Sequence, residues 1–257
     1  MKEHSLDRSP SYRLITIPIS HYCEKVRWAL DWLEIPYIEE RHVPLFHRLA
    51  TRSLGGKSVP VLVAPEVALV DSTDILHYLN GKNDGSRQLY PTEWNLRQEV
   101  EKWEELFDSQ LGVSARCWAY FYRLNDREAM RRGWCEGTPQ IEQMGFAIAF
   151  PLMRRIVQKS LNVTAASSAT SLEKIREIFD KVSQRLSDGR PYLIGDKFSA
   201  ADLTFAALSA PTLLPPEHPM KLPQIDAINS EMATTIKEFR ETPAGIYALR
   251  LYREHRH

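Results

Sequence analysis

The chain has 257 residues, and its lysines plus arginines equal its aspartates plus glutamates at 33 each. That length suits one large domain or two small ones, and the balanced charge leaves no net field to draw nucleic acid or an acidic membrane. Three cysteines, Cys23, Cys117 and Cys135, are too few and too scattered for a disulfide framework or a zinc site, which points to a reducing cytoplasm. The first ten residues are polar and lack the apolar core of a signal peptide. The longest apolar run, Met144 to Met153, contains Pro151 and is too short to span a bilayer, so a soluble protein with no membrane partner is expected.

Residues 1–11 read as a disordered lead-in. Leu14 to Ile17 is a short β-branched run typical of a buried strand. Pro18 stops it, and Ser20-His21-Tyr22-Cys23 leads into a helix marked by Val26, Ala29, Leu30 and Leu33. A hydroxyl and a thiol three residues apart at a helix start suit the handling of sulfur. Unpaired amides and the positive end of the helix dipole favour an anion such as a thiolate there. Taken alone, the plainer reading is that Ser20 caps the helix and Cys23 fills core. A second strand is expected over Tyr37 to Val43, a short helix around Phe46 to Arg52, and a third strand over Ser58 to Val63, entered through Pro60. Val67 to Val70 reads as the other arm of a hairpin. Asp71-Ser72-Thr73-Asp74 then opens a helix that ends at Asn80-Gly81. These elements predict a small mixed sheet with helices on its faces, and the polar stretch Gly81 to Gln88 predicts a domain boundary.

Beyond it the pattern is helical. Leu96, Val100, Trp103, Phe107 and Leu111 keep the spacing of an amphipathic helix, whose continuation through Trp118, Tyr120 and Phe121 is weakened by Gly112 and Val113. Ile141 to Leu161 predicts a helix kinked near Pro151. Thr164 to Ala169 reads as a loop, and Thr170-Ser171-Leu172-Glu173 as a capping box opening a helix to Leu186. Ser199-Ala200-Ala201-Asp202 opens another, reaching Ala210 before a proline cluster. Two more helices are expected near Gln224 to Arg240 and Pro243 to His255. Tyr22 and His21 read as surface residues, and Glu101, Glu104 and Glu105 as a solvated face. Trp118, Tyr120, Phe121 and Tyr122 form an aromatic stripe that reads as core in preference to a pocket wall. Gly56-Lys57-Ser58 ends like a phosphate-binding loop but lacks its first glycine and precedes a strand. The eight histidines show no metal spacing, so no metal is expected.

Four features, in order, resemble the cytosolic glutathione transferases over nearly the whole chain. They are Ser20-x-x-Cys23-x-x-Val26-Arg27 after the opening strand, Val59-Pro60-Val61-Leu62, Asp71-Ser72 followed by Ile75, Tyr78 and Leu79, and Tyr192-Leu193-Ile194-Gly195-Asp196-x-x-Ser199-x-x-Asp202. The resemblance implies an α/β thioredoxin-like domain over residues 12–82 followed by an all-helical domain over 89–257. It also implies glutathione as co-substrate, a small hydrophobic electrophile as second substrate, and a homodimer.

On that resemblance, the glutathione sulfur lies at the start of the first helix. Holding a thiol of pKa ~8.5 mostly ionised at neutral pH needs a shift of about two units, roughly 2.7 kcal/mol. A hydrogen bond from the Ser20 hydroxyl to the thiolate supplies roughly 1.5–3 kcal/mol, and the helix start adds about 0.3–1 kcal/mol. Val59, before a cis Pro60, should pair its backbone with the cysteinyl unit. Ser72 should hold the γ-glutamyl carboxylate and Asp71 its ammonium group, with Lys57 or Ser58 reaching the glycyl carboxylate. Two other readings stay open: a thiol oxidoreductase or reductive lyase using Cys23 as nucleophile, and a carrier without catalysis.

Overall fold

The computed structural model describes residues 12–83 and 87–256. The expected lead-in and residues 84–86 of the expected boundary lie outside them. Four strands, β1 (Tyr12–Thr16), β2 (Tyr37–Arg41), β3 (Val61–Val63) and β4 (Ala68–Leu69), form one sheet in the order β2-β1-β3-β4. β1 runs parallel to β2 and antiparallel to β3, with Leu14 opposite Glu39 on one side and Leu62 on the other. The parallel pair needs a crossover, and α1 (His21–Trp32) provides it. Helices α2 (His47–Thr51) and α3 (Ser72–Lys82) complete this half.

Everything after it among the described residues is helical. The elements are α4 (Trp94–Leu106), α5 (Val113–Arg123), α6 (Arg127–Cys135), α7 (Gln140–Ser160), α8 (Ala165–Arg185), α9 (Ala200–Leu213), α10 (Ser230–Glu241) and α11 (Pro243–His255). α4 and α5 are one rod interrupted by a widened π turn over Phe107–Gly112. One core unites both halves: Leu14, Val26, Ala29 and Leu62 from the sheet side join Phe107, Phe179, Phe205 and Leu251.

Four helices differ from expectation. α8 starts at Ala165, its cap Thr164 standing six residues before the expected one, because Thr164 and Ser167 form a reciprocal capping box of their own; alanine, the best helix former, then opens the first turn. α9 runs past Ala210 to Leu213 with Pro211 inside it. α10 begins at Ser230, where the Asn229 side chain caps it, rather than at Gln224. α6 was not anticipated at all, although Asp126 caps it and Met130 and Trp134 keep helical spacing. In α7, Pro151 removes the N–H that the Ala147 carbonyl needs, and Arg127 Nη2 donates to that oxygen instead at 2.6 Å.

α1 is buried nearly all round, and its charged side chains are each paired. Glu24 meets Arg256 at 2.6 Å, Arg27 meets Glu39 at 2.6 Å, and Lys25 meets Glu104 and Asp108 at 2.8 and 2.6 Å. Glu104 is fully buried and also accepts from Tyr90 Oη at 2.7 Å. This corrects the expectation of a solvated Glu101–Glu104–Glu105 face: Glu105 is exposed and Glu101 partly so, but Glu104 turns inward to a lysine 79 positions away in sequence, which periodicity cannot reveal. The two carboxylates hold the Lys25 ammonium above its usual pKa against the opposing effect of burial.

Candidate functional site

The loop from β1 to α1 is held from three sides. Arg27 Nη2 donates to the Pro18 and Ile17 carbonyls at 3.0 and 3.3 Å. The Ile19 N–H donates to the Gly133 carbonyl of α6 at 3.2 Å. His21 and Tyr22 dock into the π turn: His21 Nε2 lies 2.9 Å from the Gly112 carbonyl and Tyr22 Oη donates to the Asp108 carbonyl at 2.6 Å. Since a carbonyl only accepts, Nε2 carries the imidazole proton. The approach is close enough that a Cβ on Gly112 would stand 2.5 Å from Tyr22 Oη. These contacts overturn the surface placement of His21 and Tyr22. Burial, with a smaller contribution from Arg116, lowers the His21 pKa to about 3, so the ring is neutral.

So anchored, Ser20 stands as the N-cap of α1. Its Oγ accepts from the Cys23 N–H at 3.4 Å, a long bond that uses only a lone pair, and the Ser20 side chain also lies within reach of the Cys23 thiol. Ser20 faces a cavity of about 950 Å³ between the sheet half and α5, α6 and α9. Lys57, Ser58 and Val59 line the same cavity, and the Val59–Pro60 peptide is cis. Asp71 and Ser72 do not line it. Asp71 caps α3 by accepting from the Thr73 and Asp74 amides, and Ser72 is buried in the first turn. α3 is tied to α1 by the bond from Lys25 Nζ to Thr73 Oγ1 at 3.1 Å. Cys23 is 0% exposed, lies off the cavity wall, and has its thiol pKa raised by burial against the opposing charge of Arg27. A thiol so placed is core and a poor nucleophile.

The aromatic stripe divides. Trp118 is core, as expected, and Phe121 is exposed, but Tyr120 and Tyr122 line the cavity. Residues not singled out from the sequence also line it, among them Arg116 and Arg123 on α5 and Arg131 to Gly133 on α6. The i, i+4, i+7 spacing of Arg116, Tyr120 and Arg123 was the available signal, since it places all three on one helix face. Among the described residues no His/Cys/Asp/Glu group has the arrangement to hold a metal ion.

This geometry coincides with two sequence-family matches. The N-terminal domain of glutathione S-transferases matches residues 14–87, and the C-terminal domain of the same family matches residues 164–208. Both domain models of one family, the glutathione S-transferases, thus match this chain in that family's order. No curated protein is significantly similar to it, but solved structures share the superfamily's fold. A glutathione S-transferase of Ceriporiopsis subvermispora in complex with glutathione superposes with a TM-score of 0.63 at 17% identity, over 95% of this chain and 97% of that one. The β-etherase LigF from Sphingobium sp. strain SYK-6 gives 0.60 at 18% identity, over 93% and 99%. A glutathione S-transferase from Methylobacillus flagellatus KT with glutathione bound gives 0.54 at 21%, over 93% and 98%. The superfamily's two-part plan, a thioredoxin-like unit followed by helices, is the plan of this chain. No helix among the described residues is long and apolar enough to cross a membrane.

Proposed function

We propose that the protein is a glutathione transferase in which Ser20 donates a hydrogen bond to the thiolate of bound glutathione. The sulfur attacks an electrophilic carbon of a small second substrate with an apolar body. The thiol proton passes to solvent before attack. The S–C bond then forms as the leaving group departs with the electron pair of the bond it gives up. The observation that carries this reading is the placement of Ser20: a helix-capping hydroxyl on the wall of a large cavity.

The geometry supports a thiolate there on two counts. The first-turn amides of α1 point toward the position in front of Ser20, and a charge-assisted bond from the hydroxyl contributes roughly 1.5–3 kcal/mol. Lys57, Ser58 and Val59, sharing the cavity with Ser20, are assigned to the glycyl and cysteinyl end of glutathione. Ser72 and Asp71 at the start of α3 are assigned to its γ-glutamyl end. Glutathione bound to two of the similar structures agrees with that choice of co-substrate. The neighbouring β-etherase is compatible with the same first step. The buried Cys23 disfavours a cysteine nucleophile.

The test is conjugation of 1-chloro-2,4-dinitrobenzene, read together with the ultraviolet absorbance of the bound thiolate. Ser20→Ala is expected to lower kcat/KM by about 10–100-fold, the loss of one charge-assisted hydrogen bond, and to abolish the thiolate band at neutral pH. An unchanged rate removes Ser20 from the mechanism. Activity lost in Cys23→Ser but kept in Ser20→Ala moves the chemistry to the thiol.

A further inference from the structure

The cavity wall opposite the sheet half is not uniformly apolar. Arg116, Tyr120 and Arg123 share one face of α5 and all line the cavity. At 1.5 Å per residue they form a row about 10 Å long. Arg116 lies over the Tyr22 ring, its Cζ 5.7 Å from the centroid, so the row begins close to Ser20. Two other cations on this wall are answered: Arg131 pairs with Glu128 at 2.8 Å, and Arg132 approaches the same carboxylate at 3.9 Å. Among the described residues neither Arg116 nor Arg123 has a hydrogen bond or an ion pair within 4 Å at its guanidinium, and the Asp126 carboxylate acts on Arg123 only from farther off. Arg123 Nη1 is buried with no acceptor. Asp126, the nearest acid in sequence, is engaged in capping α6, its Oδ1 accepting from the Ala129 N–H at 3.0 Å. Tyr120 Oη accepts from Trp134 Nε1 at 3.2 Å, which leaves its own proton without an acceptor. Three donors, two of them cationic, therefore line one cavity without a hydrogen-bond acceptor among the described residues, although Asp126 and Glu136 line it too.

A buried donor left unsatisfied is costly, and more so when charged. An arrangement that keeps several pointed at one space makes sense when a ligand supplies the acceptor. Ala119, Tyr122, Met130 and Leu214 line the cavity alongside them, which calls for an apolar body on the same ligand. From this we infer that the second substrate is an amphipathic anion, an aromatic or similarly apolar electrophile carrying a carboxylate that the Arg116–Tyr120–Arg123 row receives while its electrophilic carbon faces Ser20. The inference rests on the transferase reading for the electrophile, but the anion subsite stands on the α5 geometry alone. Burial lowers the Arg123 pKa against the opposing charge of Asp126.

A matched pair of probes tests it: 4-chloro-3,5-dinitrobenzoate and its methyl ester, which share the reacting carbon and differ in the charge. Against the uncatalysed rate of each, the wild-type protein is expected to favour the acid at least tenfold in kcat/KM. Arg123→Met and Arg116→Met are each expected to collapse that ratio about tenfold, mainly through KM. Independently of turnover, 3,5-dinitrobenzoate should quench tryptophan fluorescence with a Kd at least tenfold below that of its methyl ester, and the preference should vanish in either variant. Because Arg123 Nη1 is buried without a hydrogen-bond acceptor, Arg123→Met should keep or raise the Tm. If wild type treats acid and ester alike in both rate and binding, the inference falls while the transferase reading stands. If the acid binds selectively but neither probe turns over, the subsite stands and the transferase reading falls. If the variants weaken glutathione binding tenfold and leave the acid-to-ester ratio untouched, the row belongs to glutathione and the inference is overturned.

Discussion

Ser20, His21 and Cys23 occupy three successive environments within one turn of chain: cavity wall, docking contact and core. His21 makes that arrangement sensitive to pH. Its folded pKa of about 3 lies below the ordinary 6.5, so the unfolded chain takes up a proton that the folded one refuses. The stability from keeping the ring neutral is complete above pH 6.5 and drains away as the pH falls toward 3. His47, lowered to about 4 chiefly by burial, and His218, lowered by the same cause, act in the same direction. The Tm is expected to fall between pH 7 and pH 5, and to fall less steeply in His21→Gln, which keeps a donor for the Gly112 carbonyl but cannot take the proton. Equal slopes in thermal melts across that range would remove His21 as a source.

The π turn between α4 and α5 explains why the rod is interrupted where it is. Widening the helix over Phe107–Gly112 presents the Asp108 and Gly112 carbonyls to Tyr22 and His21, and the missing side chain at Gly112 lets Tyr22 come within reach. Gly112→Ala would push the Tyr22 hydroxyl off its acceptor, an overpacking expected to cost about 1–3 kcal/mol in denaturant unfolding. α8 offers a second check on an element boundary. If Thr164 is its cap, Thr164→Ala should cost about 1 kcal/mol, whereas a helix opening at Thr170 would leave stability unchanged. Elsewhere in the helices the α7 residues Ile141, Met144, Ile148 and Leu152 are largely exposed. Their periodicity read from the sequence marks a helix correctly but says nothing about which face is covered.

Across the whole molecule, α1 is the strut that both halves close upon. Its Lys25 joins α3 and the α4–π segment, while its Glu24 takes Arg256 from the chain's last turn and its Trp28 Nε1 donates to the His255 carbonyl at 2.9 Å. Truncating one partner of a buried pair strands the other charge. Lys25→Met is therefore expected to destabilise the protein by about 3–5 kcal/mol, read as a drop in the denaturant midpoint. A change under about 1 kcal/mol would mean that Glu104 finds another partner or takes a proton.

Local chemistry alone settled a good deal. The β-branched run from Leu14 marked a strand, which ends at Thr16, and Val26-Ala29-Leu30-Leu33 marked a helix face, because β-branching and three-to-four spacing are properties of neighbouring residues. Ser20 at the helix start, Asp71 at the next, and the Ser199-x-x-Asp202 box were legible for the same reason. What only the tertiary structure decided was which polar groups are paired and which face the cavity. Glu104 looked like any solvated glutamate until Lys25 was brought to it, and Cys23 stayed open as a rival to the favoured Ser20 until one was buried and the other left on the wall. Arg116 and Arg123 carried no signal beyond their spacing, since being unpaired in a cavity depends on everything packed around it. Burial and partnership are set by residues far apart in sequence, and no local pattern encodes them.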